Sequence, residues 1–434
     1  MSKIDILSIE WPKSDRDLHI VTPVLVYLSK KYNINYKTIS IFNGYYYILK
    51  HKPKMIVISN FQGAVENNNI VNLAKSYGIK VVSLISEGNV KFEALEQFLW
   101  GHNKDKKLYV EKMLVWNKRS EDIFLKAYPN LKNRIITTGA TGFDRYKLLE
   151  FKSKNRFLVE NNLNFKKIIG IAAWGFDHYF DKYFEDHKEY YLNIFGEKQI
   201  DMHKEDLYKI QQIYRTIIEN NKDTLFVLRF HPGTIDFEKN EFYGLEKYNN
   251  VFVSNEFNNN NLKIADLISV SDLWLGYETT TALEAWLLNK QTFLINPTRS
   301  DFIRENIHKG SPIVKTAKEA QKLIEEFYEN NSIKAFEDLE ENRKKIIKDT
   351  IEYDDGKNHQ RAAKEIIRVL NEDDKKIKFN NKIYKEAVKQ ILKLILSKTI
   401  FRNRWPNLKY KSNFAKPYQD AYKLIGIENK CLKK

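Results

Sequence analysis

Two hydrophobic patterns alternate along the chain. Short apolar, β-rich runs recur at 4–9, 34–41, 55–59, 80–85, 112–116 and 135–138. Between them, at 23–31, 65–77 and 120–127, apolar residues fall three and four positions apart, which is the helical period. Apolar runs of that length predict strands covered on both faces. Strands alternating with helices predict a mainly parallel sheet with helices on either side. Residues 147–165 interrupt the rhythm with charge and asparagine, and read as a linker or linking helix. The alternation then restarts, with strands at 167–173, 224–228, 251–254, 273–276, 292–295 and 313–315 and helices at 205–220, 261–270, 280–288 and 317–329. A helical stretch over 335–370 closes the series. The expected architecture is α/β: two tandem Rossmann-like doubly wound domains, 1–146 and 166–334, facing a cleft. Closing helices and a tail at 371–434 follow. Open α/β sheets bind ligands beyond the carboxyl ends of their strands, so the residues just after each strand carry the functional question.

Composition narrows the classes. In 434 residues, 43% hydrophobic and 13% aromatic side chains suffice for packed cores and exclude wholesale disorder. The one cysteine, Cys431, excludes an internal disulfide framework and a multi-cysteine zinc site. The opening, 1–15, is too polar for a signal peptide, and no run of 18 apolar residues occurs; a cytoplasmic protein is expected. The net charge of +16 invites a nucleic-acid reading. Residues 375–434, however, hold 17 Lys and Arg against 3 acids, a net +14, and leave the body near neutral. No nucleic-acid groove is therefore expected. Within 384–401, Val388, Ile391, Leu392 and Ile395 recur at helical spacing, with Lys385, Lys389, Lys393 and Lys398 mostly elsewhere on the wheel. Arg402, Arg404, Trp405, Lys409, Tyr410 and Lys411 follow. This basic amphipathic tail either docks peripherally on the anionic inner face of a membrane or packs on the body with a solvated lysine face. RNA binding ranks third.

Candidate chemistry sits at strand ends. Arg229, Phe230, His231, Pro232 and Gly233 come directly after the strand at 224–228. An imidazole there can donate to a phosphate oxygen or stabilise a leaving group. Gly276 to Ala285 (GYETTTALEA) follows the strand at 273–276. Thr279 and Thr280 stand where an N-cap and first turn belong, an arrangement suited to an anion, with Glu284 placed to accept from ribose hydroxyls. Ser86, Glu87 and Gly88 follow the strand at 80–85, and Glu87 is a candidate general base. Small residues ending in Gly175 open the second domain, and Gly139 to Asp144 ends the first; both let backbone approach a ligand and both are also ordinary turn chemistry. No dinucleotide fingerprint, Walker A, HExxH or GxSxG motif occurs. No Asp-x-Asp pair stands at a strand end, so a metal bridging a diphosphate is not required.

In this order, the motifs resemble those of GT-B glycosyltransferases of bacterial surface polysaccharide synthesis. Within that group they are similar to transferases using CMP-activated 3-deoxy acid sugars, sialyltransferase-like and Kdo-transferase-like. The resemblance spans roughly 1–370. It rests on Ser86-Glu87-Gly88 for an acid-acid-Gly motif, His231-Pro232 for an His-Pro motif and Thr279-Thr280 for a paired Ser/Thr motif. Gly139 and Asp144 fall in a TGxxxxD segment, and Asp355 to Arg361 reads DGKxxxR. The resemblance implies a CMP-linked nonulosonic acid or Kdo as donor and a glycan or lipid-linked glycan as acceptor. It implies Glu87 as base, His231 with Thr279 and Thr280 on the CMP phosphate, and no metal cofactor. One departure is plain: Ser86 stands where the family carries its first acid. Several GT-B families share the His-Pro and Ser/Thr turns. CDP-glycerol-type phosphotransferases and UDP- or GDP-sugar enzymes therefore remain alternatives, as does a non-catalytic scaffold of glycan assembly.

Overall fold

The computed structural model describes residues 4–12, 15–88, 90, 92, 95–103, 106–180, 182–186, 188–189, 192, 196–231, 234, 236–254, 263–298, 306–373, 380–397, 404, 408 and 414–424. All twelve expected strands form, each within two residues of its expected bounds. They succeed as predictions because most are buried on both sheet faces, which leaves a mainly apolar run in the sequence.

The chain divides into two units, Met1–Leu149 with Ile347–Lys434, and Glu150–Ile346. The first unit holds β1 (Ile6–Glu10), β2 (Tyr36–Ser40), β3 (Met55–Ile58), β4 (Lys80–Leu84), β5 (Lys112–Val115) and β6 (Ile135–Thr137). They form one parallel sheet in the order β2-β1-β3-β4-β5-β6. Helices cover both faces. α1 (Asp15–Tyr32) packs on one, and α2 (Gly44–His51) and α3 (Val65–Ser76) on the other. α4 (Lys118–Ala127) starts from Asn117, whose side chain accepts the Ser120 N–H as an N-cap.

α1 differs from expectation. It begins eight residues before Pro23, which lies inside the helix rather than at its start. Proline there removes one backbone hydrogen bond, but the flanking residues from Leu18 to Leu28 are almost all buried, and that packing holds the helix together. The acids Asp15 and Asp17 occupy its first turn, where the helix dipole favours negative charge.

The second unit holds β7 (Lys167–Ala172), β8 (Thr224–Arg229), β9 (Val251–Ser254), β10 (Leu273–Gly276), β11 (Gln291–Ile295) and β12 (Ile313–Val314). Its parallel sheet runs β12-β11-β10-β7-β8-β9. Its helices include α5 (Glu197–Asn220), α6 (Ile264–Val270), α7 (Thr281–Leu287) and α8 (Ala317–Asn330). Within the stretch read as a linker, Phe157 of the short helix Lys154–Glu160 is fully buried in this unit's core.

After residue 346 the chain returns to the first unit. α9 (Asn358–Leu370) lays Ala362, Ala363, Ile366 and Val369 against α1, on one face at helical spacing. The tail adds α10 (Asn381–Leu396) against α2 and α3, and α11 (Lys416–Leu424) against α1. No described helix is long and apolar enough to cross a membrane.

Candidate functional site

Each sheet has one topological switch point, where successive crossovers leave in opposite directions and open a crevice at the strand ends. In the second unit it lies between β7 and β10, the central strands of a 3-2-1-4-5-6 order. Three sequence-predicted elements meet there. Gly175, just past β7, is left-handed with φ +94°, and a Cβ on it would stand 3.2 Å from Nδ1 of His231. Glycine thus lets the β7 loop lie directly on the imidazole that follows β8. Gly276 ends β10 with no room for a side chain: a Cβ would meet Thr279 Cγ2 at 2.5 Å and the Ala172 carbonyl at 3.2 Å. The β10 turn is therefore closed against the end of β7.

His231 is exposed, yet enough protein surrounds it that desolvation, the largest effect, holds its pKa below the ordinary histidine value. His178, with its ring centroid 6.0 Å away, and Arg229 at the end of β8 lower it further, while Asp177 opposes them. The ring is thus neutral near pH 7, donating one N–H and accepting at the other nitrogen. Pro232 lies outside the described residues.

The threonine turn is built by hydrogen bonds. Trp274 Nε1–H donates to Thr281 Oγ1 at 2.8 Å, and Thr281 Oγ1 lies 2.9 Å from Thr279 Oγ1. The Thr281 N–H also donates to Thr279 Oγ1, at 3.2 Å. When Thr281 gives its hydroxyl proton to Thr279, both lone pairs of Thr279 are taken, and its own O–H is directed to a third group. Thr280 is the exposed N-cap of α7 and makes no side-chain cap bond. Glu284 lies half-buried one turn into α7.

Beneath these residues lies a buried polar layer that sequence reading did not single out. The Trp174 N–H donates to Glu241 at 2.6 Å, and burial pushes the Glu241 carboxyl up to about 7. Tyr277 O–H donates to Asp206 at 2.8 Å, and Thr298 O–H reaches the same oxygen at 3.2 Å. His203, fully buried, stacks on Tyr179 with ring centroids 5.4 Å apart and lies 4.0 Å from Glu278. The signal was present: His203 and Asp206 interrupt the buried face of α5 at positions that helical period assigns to apolar residues.

In the first unit the order 2-1-3-4-5-6 puts the switch point between β1 and β3. Glu10, the last residue of β1, is buried and accepts from Ser8 Oγ at 2.8 Å and the Ser59 N–H at 3.2 Å. Desolvation, with the Asp17 charge second, raises its pKa well above the ordinary carboxylate range. Asp17 itself is pushed up to about 6, mainly by burial, against the lowering effect of Arg16. The hydroxyls of Ser59 and Ser86 hydrogen-bond to it. Ser86, in the position of the missing first acid, thus holds a carboxylate supplied from α1. Glu87 is exposed and pairs with Arg16 at 2.8 Å. Gly88 is dictated by close packing, since a Cβ would fall 2.0 Å from the Trp116 indole. Asp17 escaped the sequence reading because the helix was started at Pro23; Glu10 closes β1, one residue past the expected end of that strand.

Gly139 and Asp144 meet the DGKxxxR segment within this same unit. The Asp144 carboxylate accepts the His359 N–H at 2.7 Å, in the first turn of α9, and contacts His359 Nδ1 at 2.8 Å. A Cβ on Gly139, with φ +87°, would fall 1.9 Å from Asn358 Oδ1. Arg361 pairs with both Asp355 oxygens, at 2.9 and 2.6 Å. The two motifs form one clasp that fastens α9 to the end of the first sheet.

No protein-family model and no curated protein matches the chain. Solved structures do. A UDP-N-acetylglucosamine 2-epimerase from Listeria monocytogenes is similar at 14% identity, over 87% of this chain and 100% of that one, with a TM-score of 0.56. The wall teichoic acid polymerase TagF is similar at 15% identity, over 85% and 90%, with a TM-score of 0.55. The S. aureus MnaA–UDP structure is similar at 13% identity, over 85% and 97%, with a TM-score of 0.53. At such identities the likeness is one of fold: two tandem parallel-sheet domains of GT-B type, as the alternating pattern predicts.

Proposed function

We propose that the chain is a metal-independent glycosyltransferase of bacterial surface-glycan assembly. It moves a 3-deoxy acid sugar, a nonulosonic acid or Kdo, from a CMP donor to a glycan or lipid-linked glycan acceptor. The observation that carries this reading is His231 lying on Gly175 at the second switch point, with the Thr279 hydroxyl at the neighbouring strand end. A neutral imidazole and a threonine hydroxyl suit the single phosphate of a CMP donor, which brings its own charge. Arg229, the exposed Thr280 hydroxyl and Glu284 complete the donor side. In an inverting transfer, the acceptor hydroxyl attacks the anomeric carbon, its proton passes to Glu87, and the bond to CMP breaks with its electrons on the phosphate. His231 and the threonines stabilise that leaving group. General-base and preorganised electrostatic effects of this kind each contribute about 10²–10³-fold. Glu87 is the member of the first unit's carboxylate group that solvent, and hence an acceptor, can reach. Residues 375–434 hold the protein at the anionic membrane where such acceptors are built.

Two other donor classes are set against this one: CDP-glycerol, since TagF has been solved with CDPG, and a UDP-sugar, since the similar epimerase is named for UDP-N-acetylglucosamine. A thermal-shift series with CMP, CDP, UDP and GDP separates them. CMP is expected to raise the unfolding midpoint more than UDP; the reverse order would replace the CMP reading. Hydrolysis of a CMP-sugar by the purified chain would exclude the non-catalytic scaffold, and His231→Ala should abolish it.

A further inference from the structure

We propose that the outward face of α10 seats on an anionic lipid bilayer. The proposal deepens the membrane-side placement above and rests on that reading for its purpose, while its evidence is the surface itself. α10 has two apolar faces. The inner one fastens it to the first unit: Ala387 and Leu394 are buried, and Ile383 and Ile391 pack against the core beneath α2 and α3. The outer one carries Tyr384, Leu392, Ile395 and Leu396, exposed by 39%, 54%, 55% and 40%. These are four of the twelve exposed large hydrophobics among the described residues, gathered on one helix of 16. Scattered exposed apolar residues need no explanation; a row of them on one rigid helix does.

Charge chooses the occupant. At about 100° per residue, Lys382, Lys385, Lys389 and Lys393 fill the sector beside this row. Glu386 is the helix's one acid, and it lies 3.6 Å from Lys389. α2, against which α10 packs, adds exposed Tyr46 with Lys50 over its ring at 5.2 Å. An apolar row bordered by lysines and tyrosine matches a helix lying in the plane of an anionic interface. A second copy of the chain fits less well, because a two-fold contact would bring the same lysine row towards its own image. At 16 residues the helix is too short to span, so it lies on the surface.

The test is flotation of the full chain with vesicles of phosphatidylcholine alone or mixed in equal parts with phosphatidylglycerol. The chain should float only with the mixed vesicles, and less as salt rises. Leu392→Asp with Ile395→Asp should abolish flotation, and each of Lys385→Gln and Lys389→Gln should weaken it about fivefold. All these positions are solvent-facing, so unfolding midpoints and the CMP-induced shift should hold, which separates this surface from the donor site. Equal flotation of the aspartate variant, or none of the wild type, would overturn the proposal. So would a wild-type dimer that the aspartates render monomeric without any vesicle binding.

Discussion

The His231 imidazole occupies the space into which any side chain at Gly175 would project, with Nδ1 3.2 Å from the position of a Cβ. Gly175→Ala would therefore push on that ring and also force alanine to φ +94°, a strain of about 1–3 kcal/mol. The expected outcome is a loss of CMP affinity of at least about tenfold, matching His231→Ala, measured by calorimetry. Wild-type affinity in Gly175→Ala would detach this contact from nucleotide binding.

Glu241 makes stability depend on pH in an unusual direction. Its carboxyl is raised from 4.5 to about 7 in the folded protein, so folding resists its ionisation. The cost is absent below the unfolded pKa, grows as pH rises through the interval, and is complete above about 7. It amounts to on the order of 3 kcal/mol. Glu241→Gln keeps an acceptor for the Trp174 N–H and removes the ionisable group. The variant should unfold at a higher temperature than wild type at pH 8, with the gap closing as pH falls towards 4.5. A gap independent of pH would mean that the Glu241 carboxyl ionises as readily in the folded protein as in the unfolded chain.

Asp144 and His359 are predicted to matter for stability rather than for the nucleotide. Asp144→Ala removes the acceptor for a helix N-terminal N–H and leaves a buried ring nitrogen without its carboxylate. A loss of about 3 kcal/mol in urea denaturation is expected. The CMP-induced thermal shift should persist, because clasp and donor site belong to different units.

On the proposed mechanism, Asp17 and Glu87 divide the work of the first unit. Glu87→Gln should lower turnover at least about 10²-fold. Asp17, titrating at about 6, should set an inflection in kcat/KM: activity falls as pH drops through about 6, when Asp17 gains its proton. Asp17→Asn should remove that inflection. Turnover in Glu87→Gln within a few fold of wild type, with the inflection intact, would move the base to Asp17.

What the sequence could display was one-dimensional. Buried parallel strands such as Met55–Ile58 declare themselves because both faces are apolar. The residues at their carboxyl ends, His231, Thr279 and Glu87 among them, then follow from position alone. Asp17 stayed hidden for a local reason, since Pro23 imitates a helix start and left the true first turn as loop. The Asp144–His359 contact was hidden for a global one: its partners stand 215 positions apart, and each half reads as an independent turn. Of the two roles weighed for the basic tail, packing on the body is what the inner apolar face of α10 performs, and the outer face is the ground of the membrane proposal.

The return of the chain after residue 346 bears on how the protein is made. The second unit is one uninterrupted segment, 150–346, and its sheet can be completed while later residues are still being synthesised. The first unit is begun earlier but finished last. α1 presents an apolar face from early in synthesis, and the helix that covers it, α9, arrives more than three hundred residues later. The early segment must therefore wait with that face uncovered, and during synthesis it is the half of the protein that most needs a chaperone.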